Sequence, residues 1–179
     1  MRSRFFWYYI LSIIPVESHR AYQQGNQGGA MFSKILVPTD GSKPARKSIE
    51  HAIALAQSTG GQLVLLSVID KSAFVRQSVP AAPGAMGIVE PLENLLQRAA
   101  ESYVDEAEKL CIKKGVPAKK TIRSGHPVEE IIREAKKSKA DLIVIGSQGR
   151  SALKAAVIGS VTFGIISKES KIPVLVVRN

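Results

Sequence analysis

Short apolar segments alternate with amphipathic segments from residue 31 onward, and this alternation constrains the fold more than any other feature of the chain. The apolar segments are rich in Val, Ile and Leu at successive positions, which is typical of strands buried on both faces of a sheet. The amphipathic segments repeat their apolar residues at helical spacing. This alternation predicts a doubly wound α/β fold, in which right-handed crossovers place helices on both faces of a parallel sheet.

Five strands and four helices are predicted. We expect the strands at residues 34–38, 62–69, 118–123, 141–146 and 173–177. The third strand is more polar than the others, so we expect it at an edge of the sheet. The helices are expected to begin near Ser42, Val89, His126 and Ser160. The apolar positions expected to be buried in the first two helices are Ile49, Ala52, Ile53 and Ala56, and then Leu92, Leu96, Ala99, Tyr103, Ala107 and Leu110.

The first 30 residues differ in composition from the rest of the chain. Two arginines precede an aromatic-rich apolar run at residues 5–16, and a polar Gln/Gly stretch follows. The run is shorter than the roughly 20 residues that cross a bilayer, and no cleavage site of a signal peptide follows it. We expect residues 1–30 to be an extension, poorly ordered or created by a start site upstream of Met31, and residues 31–179 to form the domain.

The formal net charge of +10 favours polyanionic partners in general. The lysines, however, lie in short clusters near predicted helix ends, where they complement helix dipoles. No aromatic residues interleave with them as in a single-strand binder, so we expect neither a nucleic-acid nor a membrane partner. The single cysteine, Cys111, cannot form an internal disulfide, and we expect it to be buried in a cytoplasmic protein.

Doubly wound folds bind ligands beyond the carboxyl ends of their strands, where the strand order reverses. This rule directs attention to the loops after the first and fourth strands, residues 38–42 and 146–159. The second loop begins with Gly146 and Gly149, which allow close approach of a ligand and a positive φ. It ends at Gly159, where the free amides of a helix N-terminus form a phosphate site.

Further side chains in this glycine-rich loop are candidates for phosphate contacts: the hydroxyls of Ser160 and Thr162, and the cations Arg150 and Lys154. The spacing follows neither the Walker pattern nor G-x-G-x-x-G.

Single residues of these loops also have simpler interpretations. Gly146 can serve as a tight turn and Gly159 as a spacer before a helix. Asp40 precedes Gly and Ser and can cap its own turn. His126 suits a helix cap better than a catalytic role, since no second histidine has a predicted place beside it.

Four motifs together resemble the universal stress protein family. They are VPTDGS at residues 37–42, GHP at 125–127, GSQG followed after nine residues by GS at 146–160, and IPVLVV at 172–177. The resemblance covers residues 31–179. It implies a Rossmann-like, adenine nucleotide alpha hydrolase-like fold with strand order 3-2-1-4-5. It also implies an ATP-binding stress-response protein that forms homodimers through its last strand, at Val174, Leu175, Val176 and Val177.

The resemblance further implies roles for individual residues. Pro38, Thr39 and Val68 would line the adenine and ribose pocket. Asp40 would approach the ribose and, through water, a Mg²⁺ or Mn²⁺ ion held mainly by the phosphates. Gln148 departs from the family pattern, in which histidine or arginine is common, and it removes a cation near the phosphates. The complete predicted nucleotide-binding set is Pro38, Thr39, Asp40, Val68, Gly146, Ser147, Gly149, Arg150, Gly159, Ser160, Val161 and Thr162.

Three functions remain open at this point, with a regulatory ATP-binding module as the first hypothesis. The second is a slow ATPase that uses Asp40 and a divalent metal, and the third is a dimeric scaffold of the same fold without a nucleotide. Efficient phosphoryl transfer needs several groups that hold metal and position the nucleophile, and only one carboxylate is expected near the loop. A response-regulator receiver is excluded, because a phosphoacceptor aspartate would end the third strand, where this chain has Arg123-Ser124-Gly125.

Overall fold

The computed structural model describes residues 32–70, 86–150, 158–169 and 171–178. The chain divides after Met31 into two units, and all of these residues belong to the second. The expectations for residues 1–30 and for Lys154 therefore lie outside the described residues. No helix in the described ranges combines the length and the apolar character needed to cross a membrane.

Five parallel strands form one sheet. The strands are β1 (Lys34–Pro38), β2 (Gln62–Ile69), β3 (Ala118–Ser124), β4 (Leu142–Gly146) and β5 (Val174–Val177). The helices are α1 (Lys43–Thr59), α2 (Met86–Lys113), α3 (Pro127–Ser138) and α4 (Ser160–Lys168). The strand order β3-β2-β1-β4-β5 confirms the predicted fold, with β3 and β5 at the edges.

Helices cover both faces of the sheet. On one face α1 contacts β1, β4 and β5, while α2 contacts β2 and β3. On the opposite face α3 and α4 pack over a core cluster that includes Leu36, Leu66, Ile143 and Ile165. The chain crosses from β1 toward β3 and later from β4 toward β5, and both crossovers are right-handed. The helices of the two halves therefore cover opposite faces of the sheet. The carboxyl ends of all five strands lie at one side of the sheet, called here the carboxyl edge.

The first helix follows its local sequence signals. Ser42 Oγ accepts a hydrogen bond from the backbone N of Ala45 at 3.3 Å, so Ser42 caps the N-terminus as predicted. Gly60 ends the helix in the left-handed region with φ of 70°, which glycine adopts without strain. All four predicted apolar positions of α1 are buried.

The buried face of α2 differs from the predicted one. It is centred on Ala100, Val104, Ala107 and Cys111, of which Ala107 was among the predicted positions. The other predicted positions with described side chains are only half-buried, Tyr103 among them, and the side chain of Leu92 lies outside the described residues. The small alanines let α2 lie close to β2 and β3, which moves the longer side chains to the flank of the contact. Cys111 is buried as expected, and its burial raises the pKa of the thiol to about 11.

Asp141 holds the start of β1 beside the start of β4. Its Oδ2 accepts hydrogen bonds from the backbone N and the Oγ of Ser33, both at 2.8 Å, and its Oδ1 accepts one from the backbone N of Lys34 at 3.1 Å. Because β4 begins at Leu142, Asp141 precedes the strand, and the predicted strand begins one residue too early.

Candidate functional site

The loops after β1 and β4 meet at the carboxyl edge, because the two strands are direct neighbours in the sheet. Asp40 joins them. Its Oδ1 accepts a hydrogen bond from the backbone N of Ser42 at 3.0 Å. With this bond Asp40 caps its own turn, as the simpler interpretation of the sequence expects. Its Oδ2 accepts a second bond from the backbone N of Arg150 at 2.8 Å. The carboxylate thus fixes both its own turn and the beginning of the glycine-rich loop.

Close packing explains two of the glycines at this edge. A Cβ at Gly149 would lie 2.7 Å from the Oδ2 of Asp40, and a Cβ at Gly146 would lie 2.8 Å from the carbonyl carbon of Pro44. Neither residue has a positive φ, and Gly159 has φ of −75°. Gly146 and Gly149 permit a positive φ but do not adopt one; among the loop residues described at this edge, Gly41 and Gly125 do, with φ of 74° and 150°.

The two ends of the glycine-rich loop lie side by side. The backbone N of Gly159 donates to the carbonyl of Ser147 at 2.7 Å, and the backbone N of Ser147 donates to the carbonyl of Val177 at 2.7 Å. Gly159 is the N-cap of α4, and no side chain caps the helix there. The amides of the first turn of α4 therefore have no partner within the helix or its cap. Ser160, the first residue of this turn, is exposed.

Thr162 has a structural role at this point. Its hydroxyl donates a hydrogen bond to the carbonyl of Gly146 at 2.8 Å, and the residue is 3% exposed. Because a hydroxyl has one hydrogen to donate, Thr162 fastens α4 to the end of β4 and does not direct that hydrogen at a ligand.

The residues predicted for the base and ribose lie at the ends of β1 and β2. Pro38 and Thr39 are buried, and the backbone N of Thr39 donates to the carbonyl of Leu66 at 2.8 Å. Val68 is half-buried near the end of β2. A cleft of about 210 Å³ lies further along the same edge, between β2, β3 and α2. Its lining residues include none of the predicted set: Ile69, Glu93, Asn94, Leu96, Gln97 and Ser124.

Tyr103 lies beside this site, although the sequence analysis placed it only in the apolar stripe of α2. Its ring lies so close to Gly41 that a Cβ at Gly41 would collide with it. Its hydroxyl accepts a hydrogen bond from the guanidinium of Arg150, whose Cζ lies 5.4 Å from the ring centroid. The one signal in the sequence was the hydroxyl itself, because a partly buried tyrosine usually has a polar partner.

The described residues contain no cluster of three or more acidic, histidine or cysteine side chains that would form a protein metal centre. Asp40 is the predicted site residue that offers carboxylate oxygens, and each of its oxygens accepts one backbone amide.

Comparison with known proteins extends over almost all of the described domain. The family model described as "Universal stress protein family" matches residues 31–178. Universal stress protein MJ0531 of Methanocaldococcus jannaschii is 34% identical over 151 residues, which are 84% of this chain and 85% of that protein. Universal stress protein YxiE of Bacillus subtilis is 33% identical, over 83% of this chain and 100% of that protein.

Solved structures have the same fold. The structure of MJ0577 has a TM-score of 0.71 and 33% identity, covering 83% of this chain and 97% of that chain. A universal stress protein in complex with cAMP has a TM-score of 0.60 at 22% identity, covering 83% and 98%. A universal stress protein from Archaeoglobus fulgidus in complex with dAMP has a TM-score of 0.58 at 19% identity, covering 82% and 98%. The chain therefore belongs to the universal stress protein family.

Proposed function

We propose that this protein is a cytoplasmic regulatory module that binds ATP or a related adenine nucleotide at the carboxyl edge, where β1 and β4 end. The observation that carries the proposal is the first turn of α4. Its amides lack a side-chain cap, and Gly159 places them beside Ser147. A helix N-terminus of this kind favours an anion, and the phosphates of a nucleotide supply one.

The other predicted residues complete the proposed site around these amides. Ser160 and Val161 bind phosphate through backbone N–H groups, and the exposed hydroxyl of Ser160 adds a donor. Asp40 directs its remaining lone pairs at the ribose, while Pro38, Thr39 and Val68 supply the apolar wall for the base. This fold accommodates adenine nucleotides in other members, since two universal stress proteins were solved as complexes with cAMP and dAMP.

A divalent ion fits this proposal as a partner of the phosphates. Both oxygens of Asp40 already accept an amide, but each carboxylate oxygen has capacity for another bond. Asp40 is therefore suited to accept a hydrogen bond from a water on Mg²⁺ or Mn²⁺, which keeps several waters when it binds phosphates. The ion would neutralise phosphate charge. The two structural bonds of Asp40 favour a binding role over catalysis of hydrolysis.

The sharpest test places a negative charge at the start of α4. Ser160→Asp should weaken ATP binding by about tenfold or more, because the carboxylate repels the phosphates and occupies the helix N-terminus. It should not destabilise the fold, since an acidic residue in the first turn favours the helix. Calorimetric titration with ATP and adenosine measures the effect, and adenosine should bind as it does to the parent.

Ser167→Asp is the matched control, because it makes the same charge change at an exposed position near the other end of the same helix. Its ATP affinity should equal that of the parent. A parent protein that binds no adenine nucleotide would contradict the proposal, as would equal losses in the two variants.

We also propose a homodimer through β5. Val174, Leu175 and Val176 are half-buried in the single chain although they are apolar, and β5 is an edge strand. An apolar edge strand favours pairing with a second copy.

A further inference from the structure

The contact between Arg150 and Tyr103 crosses the carboxyl edge. Arg150 follows the glycine pair after β4, and its backbone N is held by the Oδ2 of Asp40 at 2.8 Å. Its side chain is exposed and extends to α2, where the guanidinium donates to the hydroxyl of Tyr103. The guanidinium also lies over the ring, 5.4 Å from the centroid. Hydrogen bonding and a cation–π interaction therefore hold the same cation.

Tyr103 and the start of α4 belong to different helix layers. α2 packs with α1 on one face, whereas α4 packs with α3 on the other. The backbone of Arg150 lies between the two layers, because Asp40 fixes it at the junction of β1 and β4. Contact with Tyr103 therefore directs the side chain of Arg150 toward the layer of α1 and α2 and away from the layer that contains α4.

We propose that Tyr103 is a specificity-determining residue, which competes with the phosphates of a nucleotide for the guanidinium of Arg150. This inference rests on the proposed function. A ligand with a phosphate chain draws Arg150 away from Tyr103, since a charge-assisted bond to phosphate is stronger than a bond to a neutral phenol. Adenosine leaves the contact in place. Tyr103 thus lowers the affinity for phosphate-bearing ligands alone, and it acts through Arg150 rather than by touching the nucleotide.

Tyr103→Phe tests the inference, because it removes the hydroxyl and keeps the ring that packs on Gly41. Calorimetric titrations with ATP, AMP and adenosine are compared for the parent, Tyr103→Phe, Arg150→Ala and the double variant. We expect Tyr103→Phe to bind ATP about three- to tenfold more tightly, the gain that follows when a competing hydrogen bond is removed. Adenosine affinity should not change. In the Arg150→Ala background, Tyr103→Phe should have no effect.

An NMR signal of the Arg150 side chain gives a second readout. In the parent, ring current from Tyr103 should shift the Nε–H resonance, and ATP should remove that shift while adenosine preserves it. Unchanged or weaker ATP binding by Tyr103→Phe would overturn the inference, as would an equal effect on adenosine or an effect that persists without Arg150. If the parent binds ATP, these results leave the proposed function intact; if it binds no adenine nucleotide, both fail.

Discussion

Asp40 joins two parts of the chain that are 110 residues apart. The bond from Oδ1 to the amide of Ser42 is local, and the Asp-Gly-Ser sequence predicts it. The bond from Oδ2 to the amide of Arg150 depends on β1 lying beside β4, so no local pattern contains it. The same carboxylate serves the structure through these bonds and, in the proposed function, the ribose through its remaining lone pairs.

Removing this carboxylate should destabilise the protein even without a ligand. Asp40→Ala leaves two amides without their acceptor, and we expect a loss of about 1–3 kcal/mol in the free energy of unfolding, as for hydrogen bonds to a charged group. Urea denaturation measures it. Glu50→Ala is the control, because Glu50 makes an exposed ion pair with Arg46 at 3.8 Å that contributes little. Equal stability of the two variants would contradict a structural role for Asp40.

At the scale of elements, α3 buries two carboxylates among its apolar residues. Val128, Ile131 and Ala135 are buried, and Glu130 and Glu134 are buried with them. Glu134 Oε2 accepts a hydrogen bond from the Nε of Arg123 at 2.9 Å. Arg123 belongs to β3, the more polar edge strand, so the ion pair fastens α3 to that edge.

Removing Arg123 should therefore leave a buried carboxylate without its partner. Arg123→Met is expected to lower Tm clearly, because an unpaired buried charge is costly. Arg46→Met, which breaks the exposed pair with Glu50, should leave Tm nearly unchanged. Differential scanning calorimetry compares the two variants. If Arg123→Met has the same Tm as Arg46→Met, the pair with Glu134 does not stabilise the packing of α3.

Elements with strong local signals were predictable, and their exact packing was not. The start of α1 at Ser42 was predicted and is observed, because a capping side chain acts within one turn. The buried face of α2 was predicted around Tyr103 and lies instead around Ala100 and Val104. The difference arises because β2 and β3 select the small residues, and periodicity alone does not reveal which neighbouring stripe a sheet will contact.

At the scale of the whole molecule, the sheet order and the meeting of the two loops followed from the sequence and its family resemblance. The loops that begin at Asp40 and Gly146 do meet, as the reversal of strand order requires. The contact of Arg150 with Tyr103 was not predictable, since it joins separate elements from two layers. The donor role of Thr162 was equally hidden, because its acceptor is a backbone carbonyl of another element.

The proposed homodimer gives a prediction at the same scale. Val176→Lys places a charge on the edge strand β5, and we expect it to yield monomers by light scattering, because a lysine at the interface would have to lose its hydration. Thr121→Lys on the opposite edge strand, β3, is the control and should remain dimeric. Leu175→Lys provides a second β5 variant if Val176→Lys folds poorly. The proposal would be contradicted if a folded β5 variant remained dimeric, or if the parent protein were monomeric.

The central position of β1 has a consequence for synthesis of the protein on the ribosome. β1 gains β2 as a neighbour early, but its other neighbour begins after Asp141, which is 107 residues later than Lys34. The nascent chain therefore leaves the backbone N–H and C=O groups along one edge of this apolar strand unpaired for most of translation, a condition that favours aggregation and engagement by chaperones.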